Sequence, residues 1–271
     1  MLQNLHTHTT HCDGKSTPRE IVETAIAKGF DSIGFSCHAR TEKKSDYEVK
    51  SVQKYIDDIE NLKAEYADKL EIFTGCELDY YSKGCMPLEK FDYKIASVHT
   101  AYHESGECVV FDYSPEFAIK CVKNVFGGDG VKYAELYYRT LAALPTRFAF
   151  DLVGHFDLVT KFSELYPDLI DTESKRYKNA ALEALHSLKP HCDFFEVNTG
   201  AIARGYRTTP YPAPFILDEM KSLNCKLILT SDCHDANLLD CHFNESKEYL
   251  KSHGIDVVYN LTKNGFVGER I

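Results

Sequence analysis

Positive charge is in short supply: 31 Lys plus Arg face 41 Asp plus Glu, a net charge of −10. Phosphate backbones reward Lys and Arg, so long nucleic acid is not an expected partner, although a local basic pocket is compatible with this balance. None of the 10 cysteines (12, 37, 76, 85, 108, 121, 192, 225, 233 and 241) forms a C-x-x-C pair, which excludes zinc ribbons and thioredoxin-type motifs. No stretch approaches the ~18 apolar residues of a membrane span. The start, Met1-Leu2-Gln3-Asn4-Leu5-His6, lacks the basic region and apolar run of a signal peptide. A cytoplasmic protein with reduced thiols is expected, with no membrane partner. No Pro/Gly/Ser-rich linker, fixed-period repeat or low-complexity tract interrupts the 271 residues, so residues 1–271 read as one domain.

Hydrophobic residues make up 44% of the chain, enough for a large core without disulfides. Short apolar runs alternate with amphipathic ones. Strands are expected at Ser32–Ser36, Glu71–Gly75, Tyr93–Val98, Phe150–Gly154, Phe194–Asn198 and Lys226–Thr230. A helix should begin at Thr17-Pro18-Arg19-Glu20, which supplies a cap, Pro at the first helical position and Glu three residues on, and should stop at Gly29. Further helices are expected at Val49–Ala67, Pro115–Val125, Val131–Ala143, Thr172–Leu188, Pro214–Leu223 and Asn244–Ser252. Strand–helix alternation throughout implies parallel β-sheet. The longest connection between strands, from His99 to about Phe148, should hold two helices.

The informative feature is where the His, Asp and Glu residues fall. His6 and His8 follow the first apolar segment, with Asp13 five residues on. His38, Glu77, Asp79, His99, His155, Asn198, Asp232 and His234 end successive strands. In a closed α/β barrel those ends converge on one face. Residues i and i+2 of a strand face the same way, so His6 and His8 can aim at one point, as can Asp232 and His234. Cys37 and Cys76 then face away and should be buried small hydrophobes.

Imidazole and carboxylate without thiolate suit Zn, Mn or Fe in a hydrolytic site. His6, His8, Asp13, His38, Glu77, His99, His155, Asp232 and His234 are too many for one ion. Glu77 as a bridge gives two ions about 3.5–4 Å apart, and Asp13, His38 and His234 can hold a third. His11, His103, His186, His191, His242 and His253 keep the ordinary reading of hydrogen-bonded or solvated histidines. Asp57-Asp58-Ile59-Glu60 and Glu42-Lys43-Lys44 read as solvated faces, and the Tyr and Phe excess as core and pocket wall.

With these residues assembled, the sequence resembles the polymerase and histidinol phosphatase (PHP) superfamily, in particular its stand-alone histidinol-phosphatase branch. The matching pieces are His6-Thr7-His8-Thr9, Cys12-Asp13-Gly14, His38, Gly75-Cys76-Glu77-Leu78-Asp79, Ser97-Val98-His99, Gly154-His155-Phe156-Asp157-Leu158, Glu196-Val197-Asn198-Thr199 and Thr230-Ser231-Asp232-Cys233-His234. The resemblance implies a distorted (β/α)7 TIM-like barrel with three divalent metal ions. His6, His8, Glu77 and Asp232 would hold the first, Glu77, His99 and His155 the second, and Asp13, His38 and His234 the third. It also implies basic residues for phosphate. One position carries Thr160-Lys161 where the family often has Arg, so the charge is kept but the bidentate fork is lost. The other is matched by Arg204 or Arg207.

The expected activity is phosphomonoester hydrolysis, with L-histidinol phosphate, a histidine-biosynthesis intermediate, as substrate by resemblance. Paired ions lower the pKa of a bridging water so that hydroxide exists near neutrality. Glu77 and Asp232 hold this centre, while Arg204, Arg207 and Lys161 offset charge on the phosphoryl group. Asp157 is a candidate acid for the leaving group, and Asp157 and Asp79 are equally candidates for orienting ligands. The loop Ala101–Ser114, with Glu104, Glu107, Asp112 and Tyr113, is expected to receive the cationic part of the substrate. The alternatives are a PHP-type phosphodiesterase or exonuclease on small nucleotides, a phosphatase for another small monoester, a non-enzymatic metal-binding module, and an amidohydrolase or deaminase. The module should have lost ligands, whereas all nine are present; the amidohydrolase has no use for Arg204 and Arg207 together.

Overall fold

In a computed structural model, residues 1–42, 46–82 and 86–271 are described. Lys43 and Lys44 of the expected solvated face, and Cys85, lie outside them. Seven strands form one parallel sheet in the order β1 (Gln3–Asn4), β2 (Ser32–Phe35), β3 (Glu71–Asp79), β4 (Tyr93–Ser97), β7 (Leu152–Val153), β8 (Phe194–Asn198) and β9 (Lys226–Thr230). Past the ends of β1 and β9, Thr7 bridges Cys233 in parallel, with His8 N–H donating to Cys233 O at 2.7 Å and Cys233 N–H to His6 O at 2.9 Å. The sheet thereby nearly closes into a barrel, the distorted TIM-like architecture expected.

Helices α1 (Pro18–Ala27), α2 (Val52–Glu65), α3 (Pro115–Val125), α4 (Gly130–Ala142), α5 (Lys175–Leu188), α6 (Gly200–Ala203), α7 (Pro214–Ser222) and α8 (Phe243–Ser252) accompany the strands. The capping box at α1 forms as read: Thr17 caps the Glu20 N–H and Glu20 returns to the Thr17 N–H. The chain leaves α1 through Gly29 at φ +75, a conformation open to glycine.

Two expectations needed revision. β3 runs on through Asp79, so Glu77 and Asp79 lie within the strand, because its far end still pairs with β4. The connection after His99 holds, besides α3 and α4, an antiparallel hairpin of β5 (Thr100–Tyr102) and β6 (Cys108–Val110). Its strands are too short to show a two-residue period.

The barrel interior is plugged by Tyr93, which is fully buried; its hydroxyl donates to the carbonyl of Leu5 and lies 3.1 Å from that of Phe35. Gly34 and Gly75 leave room for its ring; a Cβ at either would overlap it. A C-terminal hairpin, β10 (Val257–Thr262) and β11 (Gly265–Arg270), joins this layer: Leu261 packs with Leu5, Phe73 and Ile228, and the Gln3 side chain bonds both the N–H and the carbonyl of Leu261. The floor is thus sealed with apolar groups, and polar ligands collect at the opposite, C-terminal strand ends. Cys37 and Cys76 are buried, as expected of side chains turned toward the helices. Among the described residues no helix is long and apolar enough to cross a membrane.

Candidate metal centre

Each strand end contributes to one cluster because parallel pairing sets neighbouring ends side by side. The Thr7–Cys233 bridge brings His6 and His8 against Asp232 and His234, and a second parallel bridge sets His38 beside Glu77. Nε2 of His6 lies 3.2 Å from Glu77 Oε2 and 3.6 Å from Asp232 Oδ1. Nε2 of His8 lies 3.5 Å and 3.2 Å from the same two atoms. His155 Nε2 is 3.0 Å and His99 Nε2 3.4 Å from Glu77 Oε1. His38 Nδ1 is 2.9 Å from Glu77 Oε2, and His234 Nε2 is 3.3 Å from Asp13 Oδ2.

All nine expected ligand residues therefore meet. They form overlapping groups: His8, Asp13, His38 and His234; His6, His8 and Asp232; His6, Glu77 and His155; His38, Glu77 and His99. Glu77, His6, His8 and His38 each belong to two groups. His8 joins Asp13, His38 and His234, a set that the sequence reading left at three.

The donors fit divalent ions better than they fit each other. Nε2 of His6, Nε2 of His8 and Oε2 of Glu77 are buried and, despite these short contacts, make no well-aligned hydrogen bond among the described residues, a costly state unless something else satisfies them. Ligand atoms about 2.0–2.2 Å from a tetrahedral ion sit about 3.3–3.6 Å from one another, close to the spacings here. Burial alone would raise the Glu77 pKa, but the imidazoles of His6, His99 and His38 outweigh it and hold the carboxyl well below its usual range. Burial would lower His38 and His99, yet the Glu77 carboxylate prevails and they stand at about 9 and about 10. Without ions, protons take up the negative charge that cations would otherwise balance.

Buried acceptors orient the ligands. Asp79 Oδ2 accepts from the His99 backbone N–H at 2.8 Å and lies 3.4 Å from His99 Nδ1. Glu196 was quoted in the sequence only as part of a motif, yet it is the main support. It hydrogen-bonds His6 Nδ1, and its Oε2 accepts from the His155 backbone N–H at 2.7 Å. Its signal in the sequence was the i, i+2 spacing to Asn198, whose side chain donates to the same Oε2 at 3.0 Å. Asp232 stands at φ +47, a conformation rare outside glycine and one that concentrates at functional sites.

Above the cluster opens a cavity of about 510 Å³ lined by Asp13, His38, Asp46, Tyr47, His99, Val110, Asp112, Tyr113, Arg204, Asp232 and His234. Arg204 Nη2 is 2.9 Å from Asp232 Oδ2 and 3.2 Å from His234 Nδ1. Asp112 and Tyr113 reach this cavity from the end of the hairpin, whereas Glu104 and Glu107 lie exposed near its tip and do not line it. Asp46 and Tyr47 were not singled out in the sequence; no periodic pattern marks them.

Three expected site residues are not among those lining this cavity. Arg207 donates to Thr160 Oγ1 at 2.5 Å and Thr209 O at 3.2 Å, and lies over the Tyr211 ring. Asp157 is fully buried; its Oδ2 accepts from the Ala213 N–H at 3.0 Å and lies 4.0 Å from Arg207. Burial pushes its pKa up, against the pull of Arg207. Neither is among the residues that line the cavity. Lys161 donates to Asp112 O at 2.9 Å and lies 3.5 Å from Asp112 Oδ2, and so braces a residue of the cavity wall.

The PHP domain family profile matches residues 4–200, well over half of the chain. The chain belongs to the PHP family. Among curated PHP proteins it is 30% identical over 254 residues to a histidinol-phosphatase of Bacillus subtilis, covering 85% of this chain and 92% of that one. It is 24% identical over 259 residues to a histidinol-phosphatase of Lactococcus lactis, covering 93% and 90%. The fold is similar to that of a histidinol phosphate phosphatase from Lactococcus lactis solved with zinc, L-histidinol and phosphate, at TM-score 0.73 and 20% identity over 98% of each chain. The PHP match spans the segments that carry seven of the nine candidate ligand residues; Asp232 and His234 lie beyond it.

Proposed function

We propose that the protein is a metal-dependent phosphomonoesterase that converts L-histidinol phosphate and water to L-histidinol and phosphate. One observation carries this reading: nine imidazole and carboxylate residues cluster together, five of them (Asp13, His38, His99, Asp232 and His234) lining one cavity, and the guanidinium of Arg204 lines the same cavity and meets the cluster. The relatives that align over nearly the whole chain bear the matching name.

The donor set suits three divalent ions, zinc, manganese or iron, held by His6, His8, Glu77 and Asp232, by Glu77, His99 and His155, and by Asp13, His38 and His234, with His8 near enough to share. Bound ions would supply Lewis acidity toward phosphoryl oxygens and acidify water. The chain's own groups do the rest. Arg204 presents N–H donors at the cavity edge, where they can pair with a phosphate oxygen and hold the ester in line. Asp112 and Asp46 place carboxylates in the same cavity, with Tyr47 and Tyr113 beside them, which suits an organic half carrying an ammonium and an aromatic ring. Lys161 keeps Asp112 in place. Asp79 and Glu196 hold His99 and His6 in fixed orientation.

Phosphate release from L-histidinol phosphate, with Zn or Mn added, tests the reading beside p-nitrophenyl phosphate and bis-p-nitrophenyl phosphate. Preference for histidinol phosphate is expected. Equal turnover of all monoesters would remove the substrate assignment, and preference for the diester would replace it with a phosphodiesterase.

A further inference from the structure

We infer that Gly200 is a positioning residue for Arg204: the missing side chain at 200 is the space in which the guanidinium reaches Asp232 and His234. The inference rests on the reading of Arg204 as the phosphate contact.

Gly200 opens the short α6 and is buried. Its φ is not positive, so the backbone does not require glycine there; space does. A Cβ at this position would lie 2.5 Å from Arg204 Nη1, 2.9 Å from the Ser231 carbonyl oxygen and 3.0 Å from Asp232 Cβ. Carbon atoms in ordinary contact stand at about 3.5–4.0 Å, so something must move.

The surroundings decide what moves. Ser231 is held by hydrogen bonds of its Oγ to Asn4 and to Leu239 O. Asp232 adjoins the bridge that closes the barrel. Gly200 cannot retreat either, because its N–H donates to Asn198 Oδ1 at 2.8 Å, and Asn198 exchanges backbone hydrogen bonds with Tyr211. The far end of this loop is pinned by Arg207 on Thr160 and over Tyr211. Arg204, with its side chain 31% exposed, is the group with somewhere to go. A methyl group at 200 therefore displaces the guanidinium into the cavity and away from Asp232. Gly200 touches no reacting atom; it acts through Arg204.

The experiment uses the full-length, metal-loaded protein as wild type, Gly200→Ala, Arg204→Ala and the double variant. The readouts are inhibition by inorganic phosphate, KM and kcat on p-nitrophenyl phosphate, bound metal, and a crystal structure of Gly200→Ala. Loss of a charged hydrogen bond predicts phosphate inhibition weakened about tenfold or more in Gly200→Ala, a raised KM with unchanged metal content, and a double variant no worse than Arg204→Ala. Wild-type phosphate inhibition in Gly200→Ala, multiplying penalties in the double variant, or a guanidinium still on Asp232 in the crystal would each overturn the inference. Should Gly200→Ala alone be insoluble, the double variant must recover solubility, since the guanidinium is then gone; failure to recover would place the clash on Ser231 and refute the positioning role. If Arg204→Ala leaves phosphate inhibition intact, it is the phosphate reading of Arg204 that falls, and the crystal structure alone judges Gly200.

Discussion

The carboxylate of Glu196 joins His6 to His155: one oxygen meets the imidazole of His6 and the other the backbone N–H of His155. Thr230 Oγ1 and Asn198 Nδ2 complete the set, so both oxygens face donors. A glutamine here must turn its NH2 toward a donor. Glu196→Gln should lower metal affinity or activity about 10–100-fold, with the barrel intact. Competition against a chromophoric chelator measures it, and affinity equal to wild type would show that Glu196 does not tune the centre.

Chelation should uncover a pH dependence. In the ion-free protein, burial opposes protonation of His38 and His99, but Glu77 outweighs it and holds them at about 9 and about 10. Both exceed the unfolded value of about 6.5, so folding favours the protonated rings. That stabilisation is complete below about pH 6.5 and is lost as pH rises through 9 to 10. EDTA-treated protein should melt at falling temperature from about pH 7 to 10, while metal-loaded protein should not follow. Parallel curves for the two forms in scanning fluorimetry would contradict this.

Arg204 and Arg207 should separate cleanly. Arg204→Ala should cost about 10²-fold in kcat/KM on monoesters with little change in melting temperature. Arg207→Met leaves the buried Asp157 without its cation and should cost about 3 kcal/mol of stability, with KM near wild type. Denaturant titration beside steady-state kinetics checks both, and the reverse assignment of losses would place Arg207 at the phosphate.

Gly75→Ala tests the barrel plug. The added methyl overlaps the Tyr93 ring, and overpacking of this kind costs about 1–3 kcal/mol. Denaturant midpoints would show it. A neutral outcome would mean that the Tyr93 ring has room to shift.

The alternation of strands and helices, the α1 capping box and the nine candidate ligands that the fold gathers were legible from the chain, because each rests on local spacing or on residue type at a strand end. The order of contact was not. Which arginine meets the cluster depends on Arg207 finding Thr160 across the fold; three residues of separation carry no such information. The hairpin that lifts Asp112 to the cavity and leaves Glu104 and Glu107 outside it was invisible for its shortness. Glu196 escaped because a buried acid on a barrel strand reads as either ligand or support until its partners are known.

The linear chain determined which chemistry was available: imidazoles and carboxylates delivered at the carboxyl ends of parallel strands, since strand direction and the two-residue period are local properties. Only closure of the barrel, through Thr7 and Cys233, decided that the first and last of them share a centre. That contact joins residues more than two hundred positions apart, and it is set by sheet twist and by the packing of Tyr93 inside, which depend on every strand at once.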